Sequence, residues 1–492
     1  MKFRNKLQIL LLVLVVLQQL DLGEGARILA AFIFPATSHF VITNAIIREL
    51  VKQGHEVTFI TPHSLAKENL GPNYKEIVID RYPSWNRMKE LTNTNAVIEM
   101  AEVNKFTFSR MVHAIGPEST DFAFETPELQ ALFNAKDKVG KYDLLLVEQF
   151  MNEGALILGH LYQIPAISIS TFGYANYFSQ IVGIISPWSY VPYLYMPYSD
   201  RMSFWERIGN VFMSSADDLL RKYSYYPRPL SYNMIPVGGL HIKEPRALPE
   251  DLQKFLDGAA HGAIYFSLGS QVRNADLPPE KLQVLLDVFG SLKQRVLWKF
   301  EDENLPPNLP ANVKIQAWMP QSDILAHPKV KVFIAHGGLF GLQEGVHYGV
   351  PILGIPIFGD QYSNLKRGEK SGFALVLDYR TFTADELRSS LLELLENPKY
   401  RDNIRKASKI FRDRPLSAMD TAMYWINYVI EHRGAPHLVS VGVELPWYQF
   451  YLLDVIGLAL AITLLPFLAL FFVCRNITKT LRNNTTQKVK MS

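Results

Sequence analysis

Eight short, predominantly apolar runs, each of strand length, constrain this 492-residue chain more than any other feature of it. Ile28 to Phe34, Val57 to Ile60, Leu144 to Val147 and Ala166 to Ser170 fall in the first half. Ala263 to Ser267, Val296 to Phe300, Val332 to Ala335 and Ile352 to Ile355 fall in the second. A strand apolar on both faces must be covered on both faces. With helical stretches between the runs, that pattern belongs to parallel sheets flanked by helices. Two such series predict an α/β protein with two doubly wound, Rossmann-like domains, 26–240 and 241–446. The join falls where glycine and proline gather, between Gly238-Gly239 and Pro249. Segment 395–430 reads as helical. In such folds ligands lie at the carboxyl ends of the strands.

Residues 331–361 carry the most chemical information. An apolar strand, Lys331 to Ala335, breaks at His336-Gly337-Gly338 and restarts as a helix that Gly349 and Pro351 terminate. A glycine turn between a strand and a helix N-terminus exposes backbone N–H groups at the positive end of the helix dipole, a ready site for a diphosphate. His336 stands at its mouth as an additional side-chain donor. Glu344 follows on the helix, and Asp360-Gln361 follows the next apolar run.

His-Gly-Gly, the glutamate six residues after the second glycine, the two prolines and the terminal Asp-Gln together resemble the signature of the UDP-glycosyltransferase family. The resemblance extends from about Ile28 to the C-terminus. It implies the two-domain GT-B architecture, in which the last helices return to the first domain. The family pattern usually has Thr or Ser at Ala335, Asn at Phe340 in vertebrate members, and often Ser at Gly341. These departures remove side-chain donors but leave the backbone cradle intact. By the resemblance, Trp318 of Trp318-Met319-Pro320-Gln321 stacks on uracil and Gln321 bonds the ribose. Glu344 accepts from the ribose hydroxyls, Ser270 approaches the diphosphate beside His336, Gly337 and Gly338, and Asp360 and Gln361 read the sugar. Base stacking of this kind contributes about 1–3 kcal/mol.

Sugar transfer from a nucleotide diphosphate requires a base for the acceptor proton. His39 follows the first strand and matches the family's catalytic histidine; a neutral imidazole is suited to that role near pH 7. The family orients it with an aspartate, whose place is taken here by Glu148 in Tyr142-Asp143-Leu144-Leu145-Leu146-Val147-Glu148. No cluster of His, Cys and carboxylates has metal-ligand spacing. We therefore expect metal independence and no cofactor, the UDP-sugar being a co-substrate. Sixteen aromatics in 172–232 suit either a plain core or a pocket for flat lipophilic acceptors. The density also suits a membrane surface.

The two ends read as addresses. Lys2, Arg4 and Lys6 precede an apolar stretch, Leu7 to Leu17, with small residues at Gly23-Glu24-Gly25, so 1–25 has the form of a secretory signal peptide. Val455 to Cys474 is twenty residues without a charge, enough to span a bilayer. Trp447, Tyr448 and Tyr451 border it, making 447–474 an aromatic border plus transmembrane helix. The basic tail 475–492 is then cytosolic and the body lumenal. Lys488 and Lys490 near the C-terminus resemble a dilysine retrieval signal, implying a single-pass protein of the endoplasmic-reticulum membrane. Cys474 is the only cysteine, which excludes an intrachain disulfide and leaves lipidation open. The sequons at Asn476, Asn483 and Asn484 then face the cytosol, unmodified. A net charge of +3 gives no case for nucleic acid.

The resulting expectation is an inverting hexosyltransferase acting on small lipophilic alcohols or phenols. UDP-glucose is the first donor and UDP-glucuronate the second. Its partners are the donor, the acceptor and the bilayer, and a homo-oligomer is compatible with the sequence. Two alternatives stand beside it: a non-catalytic binder of lipophiles or UDP-sugars, and a membrane-lipid glycosyltransferase.

Overall fold

In the computed structural model, the described residues are 25–490 apart from 80–81, 83, 151, 173–185, 225–234, 303–305, 307, 439–445, 447 and 449–452. The expected signal peptide, Trp447 and Tyr451 lie outside them. Within them are two sheets, and every pairing is parallel.

The first sheet contains β1 (Arg27–Ala31), β2 (Glu56–Thr61), β3 (Tyr74–Val78), β4 (Leu144–Glu148) and β5 (Ala166–Ile169), in the order β3-β2-β1-β4-β5. The second contains β6 (Ala263–Ser267), β7 (Arg295–Lys299), β8 (Val313–Gln316), β9 (Val330–Ala335), β10 (Ile352–Gly354) and β11 (Ala374–Val376), in the order β11-β10-β9-β6-β7-β8. All eight apolar runs supply strands. β3 and β11 were not legible as strands: β3 is a half-exposed edge with Lys75 and Glu76 at its centre, and β11 is only three residues long. The run at Ile28 also stops being strand at Ala31, where the chain turns toward the next helix.

Each sheet is sandwiched because its strands are apolar on both faces. β4 and β6 are buried at every position, and Trp298, Tyr265, Phe266 and Phe333 are fully enclosed around β6. Burial of each such side chain stabilises the fold by about 1.5–3 kcal/mol. The helix Ala418–Glu431 starts at Ser417, whose hydroxyl accepts from the Asp420 N–H at 3.0 Å. Its Ala422, Met423, Ile426 and Val429 then join Ile28, Ala30, Phe59, Leu144 and Leu146 in one core. The chain thus returns from the second sheet to complete the packing of the first.

The C-terminal helix runs Leu453–Lys490, longer than the charge-free stretch alone. Its segment Leu460–Thr478 is long and apolar enough to cross a bilayer, with none of it buried against the body.

Candidate active site

Strand order fixes where the cleft lies. In the first sheet the chain reverses direction of growth between β1 and β4; in the second, between β6 and β9. Loops that leave such a switch point diverge and open a crevice at the carboxyl ends of the strands. The two crevices face one cleft of about 410 Å³, lined by residues from both halves.

On the first side, His39 sits in the opening turn of the helix Thr37–Lys52, directly after β1. Glu148 closes β4, and Thr171 follows β5 by two residues. Register places these strand ends together, since Ala31 pairs with Val147 and Glu148 with Ile169. The His39 Nδ1 lies 2.5 Å from Glu148 Oε1. The Thr171 hydroxyl donates to the same oxygen at 2.7 Å and lies 3.1 Å from Nδ1. Glu148 is 1% exposed, so its charge acts on His39 through protein rather than water. The extra methylene relative to aspartate does not prevent the contact. Phe34 and Phe150 wall the imidazole, with Phe150 edge-on at 4.8 Å. Asp143, at the opposite end of β4, pairs with Arg27 and is remote from this cluster.

On the second side, Ser267 pairs with Ala335, so the turn after β6 and His336-Gly337-Gly338 after β9 emerge side by side. Gly338 caps the helix Leu339–Tyr348, and Gly349 ends it at φ 70°, as its glycine predicts. The glycines also make room for the histidine. A Cβ on Gly269 would come within 2.6 Å of the His336 ring, and one on Gly338 equally close. Gly337 adopts φ 88° and backs onto Leu365 rather than lining the cleft. His336 Nδ1 has no protein partner. Burial, with the nearby Lys299 charge, depresses its pKa to about 4, so the ring is neutral at pH 7 and carries one N–H donor. Ser270 lines the cleft in the same turn.

The nucleotide-side residues also converge. Trp318, just past β8, is 73% exposed although it lines the cleft. An exposed indole on a cleft wall is a surface on which a flat ring can stack. Gln321 Nε2 and the Ser322 hydroxyl each donate to Glu344, at 2.5 Å. Burial raises the Glu344 pKa against those hydrogen bonds. Asp360 accepts from Asn364 at 2.8 Å. Burial raises its pKa too, and His39 across the cleft is near enough to counter that electrostatically. Gln361 Oε1 accepts from the Ile357 and Phe358 N–H groups, which fixes the side chain in the cleft lining. The cleft therefore gathers His39, Ser270, Trp318, Gln321, His336, Gly338, Glu344, Asp360 and Gln361.

Three lining residues escaped the sequence reading. Lys299 ends β7, donates to Gly269 O and Glu301 at 2.8 Å each, and lies 5.9 Å from the Trp318 ring. A charge inside the run Val296 to Phe300 was its available signal. Thr171 carried no signal, because a hydroxyl beside a strand is commonplace. His241 packs 5.1 Å from Phe340, whose backbone partly offsets the effect of burial on the ring. Phe340 itself packs against the first-domain core. Among the described residues, no group of three His, Cys, Asp or Glu is arranged to hold a metal ion.

The chain matches the sequence profile of the family described as "UDP-glucoronosyl and UDP-glucosyl transferase" over residues 30–225 and 214–490. It is 34% identical to UDP-glycosyltransferase UGT5 of Dactylopius coccus, over 91% of each chain. It is 31% identical to UDP-glucuronosyltransferase 2B15 of Rattus norvegicus, over 86% of this chain and 88% of that one. Among solved structures, UDP-glucose: anthocyanidin 3-O-glucosyltransferase in complex with UDP superposes with a TM-score of 0.54 at 18% identity, covering 83% of this chain and all of that one. Glycosyltransferase VinC in complex with DTDP gives 0.54 at 17%, covering 82% and all of the two chains. These likenesses give the GT-B fold. With the profile and the relatives spanning most of its length, the chain belongs to the UDP-glycosyltransferase family and is an enzyme of glucosyl or glucuronosyl transfer from a UDP-sugar.

Proposed function

We propose that this enzyme transfers a hexosyl group, from UDP-glucose in first place and UDP-glucuronate in second, to small lipophilic alcohols or phenols with inversion at the anomeric carbon. The observation that carries the reading is the His39–Glu148–Thr171 cluster on the wall opposite Trp318, His336 and Glu344 of the same cleft. Nδ1 of His39 faces Glu148, so Nε2 is the nitrogen that accepts the acceptor's hydroxyl proton. The acceptor oxygen attacks the anomeric carbon as its bond to the diphosphate oxygen breaks, and UDP leaves with the bonding pair. Glu148 stabilises the imidazolium that results. Backbone N–H groups at the start of Leu339–Tyr348 and the His336 N–H take up the charge on the leaving diphosphate. In this reading they do the electrostatic work of a metal ion, and turnover is metal-independent. Aromatic and aliphatic side chains around His39, among them Phe34, Phe108, Met111, Val112 and Phe150, favour a flat apolar acceptor.

The same proposal includes the membrane topology. The helix containing Leu460–Thr478 anchors the protein in the endoplasmic-reticulum membrane as a single pass, with the body lumenal and the basic tail cytosolic. The functional test is a radiolabelled transfer assay on microsomes, offering UDP-glucose or UDP-glucuronate with a panel of phenols, aliphatic alcohols and membrane lipids. EDTA-resistant glycoside formation on phenols or alcohols is expected. Transfer to lipids alone, or no transfer with either donor, would overturn the acceptor assignment or the reading of the site.

A further inference from the structure

The helix Phe204–Ser224 is assembled inside out. It begins at Ser203, whose backbone N–H donates to Glu206 at 2.7 Å while its hydroxyl accepts from the Glu206 N–H. Among its described side chains, 204–217, the side it presents to the protein is polar apart from Met213. Asn210 accepts from Tyr193 N and donates to the carbonyls of Trp188 and Val191. Asp217 accepts from the Tyr193 hydroxyl at 3.0 Å and pairs with His113 at 2.8 Å, and Ser214 is buried between them in sequence. The side it presents outward is apolar. Phe204 is 60% exposed, Trp205 76% and Phe212 65%, with Ile208 and Val211 also exposed. Positions 204, 205, 208, 211 and 212 recur at helical spacing and form one continuous stripe. Scattered exposed apolar residues need no account, but a contiguous aromatic stripe on a helix does.

We propose that this stripe docks on a lipid bilayer, lying in the interface plane. The inference rests on the membrane anchoring proposed above. Only fourteen residues separate the last body element, Pro436–Leu438, from the C-terminal helix at Leu453. At about 3.3–3.6 Å per residue they reach at most roughly 50 Å, so the anchor confines the body to that distance from the bilayer and favours contact with it. Trp and Phe are side chains that partition into the headgroup boundary, and the charges beside the stripe, Asp200, Arg201, Glu206 and Arg207, balance, which suits zwitterionic headgroups. A second copy of the chain is the competing occupant. The polar inner face explains why the helix tolerates this: its hold on the body rests on Asn210, Asp217 and Met213, so no apolar residue of the stripe is needed for packing.

The test uses the full-length protein in phosphatidylcholine nanodiscs. Because Cys474 is the only cysteine, a Cys474→Ser background carrying Ile208→Cys or Phe212→Cys takes a single nitroxide label, with Val139→Cys as an exposed loop reference. Retention of the protein on the nanodisc establishes the anchor separately. Docking predicts that labels at 208 and 212 collide with dissolved oxygen several-fold more than with a water-soluble nickel chelate, relative to the label at 139. Nickel accessibility equal to the reference would overturn the proposal. So would dipolar broadening between labels at 208, the signature of two copies meeting face to face. Loss of the protein from the disc would instead remove the anchor on which the proposal stands.

Discussion

Replacing Gly269 with alanine tests how the donor site is built, because the structure separates two costs of the change. Gly269 has φ 82°, and an L-residue held there loses about 1–2 kcal/mol of stability. Gly54, at φ 90° with nothing within 4 Å of an added Cβ, carries that conformational cost alone. At Gly269 the new methyl also meets His336 Cε1 at 2.6 Å, against about 3.4 Å for ordinary contact. The ring must therefore move by about 0.8 Å out of the position that the two glycines leave for it. A displaced ring no longer aims its N–H at the diphosphate. A hydrogen bond to a charged group is worth about 1.5–3 kcal/mol, so UDP affinity should fall about 10- to 150-fold. Calorimetric titration with UDP and thermal melting are run on Gly269→Ala and Gly54→Ala side by side. Similar losses of stability are expected, with the loss of UDP affinity confined to Gly269→Ala. Parental UDP affinity in Gly269→Ala would refute His336 as a diphosphate ligand held between these glycines.

His39→Ala should lower turnover on aliphatic alcohols by about 10²–10⁴-fold while UDP titration stays parental; unchanged turnover would remove His39 as the base. Glu148→Gln should cost less than that, and a phenol acidic enough to arrive ionised should be least sensitive to either change, as competition kinetics across phenols of graded acidity would reveal. Trp318→Ala should weaken UDP binding by about 1–3 kcal/mol without moving the melting temperature, because the ring is exposed rather than packed in the core and is proposed to stack on the base; a melting shift with intact affinity contradicts the platform. Acid should destabilise the fold through His336 and His241, both depressed to about 4 by burial. Their folded values lie below an unfolded value near 6.5, so their neutral forms stabilise fully above that pH and lose this contribution as pH falls toward 4. His241→Phe should flatten the fall in melting temperature between pH 7 and pH 5, and an unchanged slope would argue against it.

Strand-length apolar runs made both sheets legible, because a fully covered parallel strand has no polar face to disguise it. β3 stayed hidden since it is a short, half-exposed edge strand with charges at its centre, and the helix Phe204–Ser224, which buries Asn210, Ser214 and Asp217 while exposing Phe204, Trp205 and Phe212, defeats a reading that assigns every apolar face to the core. At the site, the glycine turn and the residues around Trp318 followed from motif and topology together. Thr171 and His241 did not. Their roles come from register and from chain crossings between the halves, and neither residue type stands out where it occurs. Lys299 shows the intermediate case, a charge in an apolar run that signals something without saying what.

The return of Ala418–Glu431 onto the first sheet has a consequence for synthesis. Ile28, Phe59 and Leu144 are made early, but Ala422, Met423 and Ile426, which cover them, emerge some 280 residues after Leu144. Throughout that interval the nascent N-terminal half carries an uncovered apolar face and cannot reach its final packing. Closing so long a loop is slow, and exposed surface of this kind invites aggregation. The first half therefore keeps that apolar face open until the end of synthesis. A chain cut anywhere before Ala418 loses part of a core whose other side lies at its opposite end.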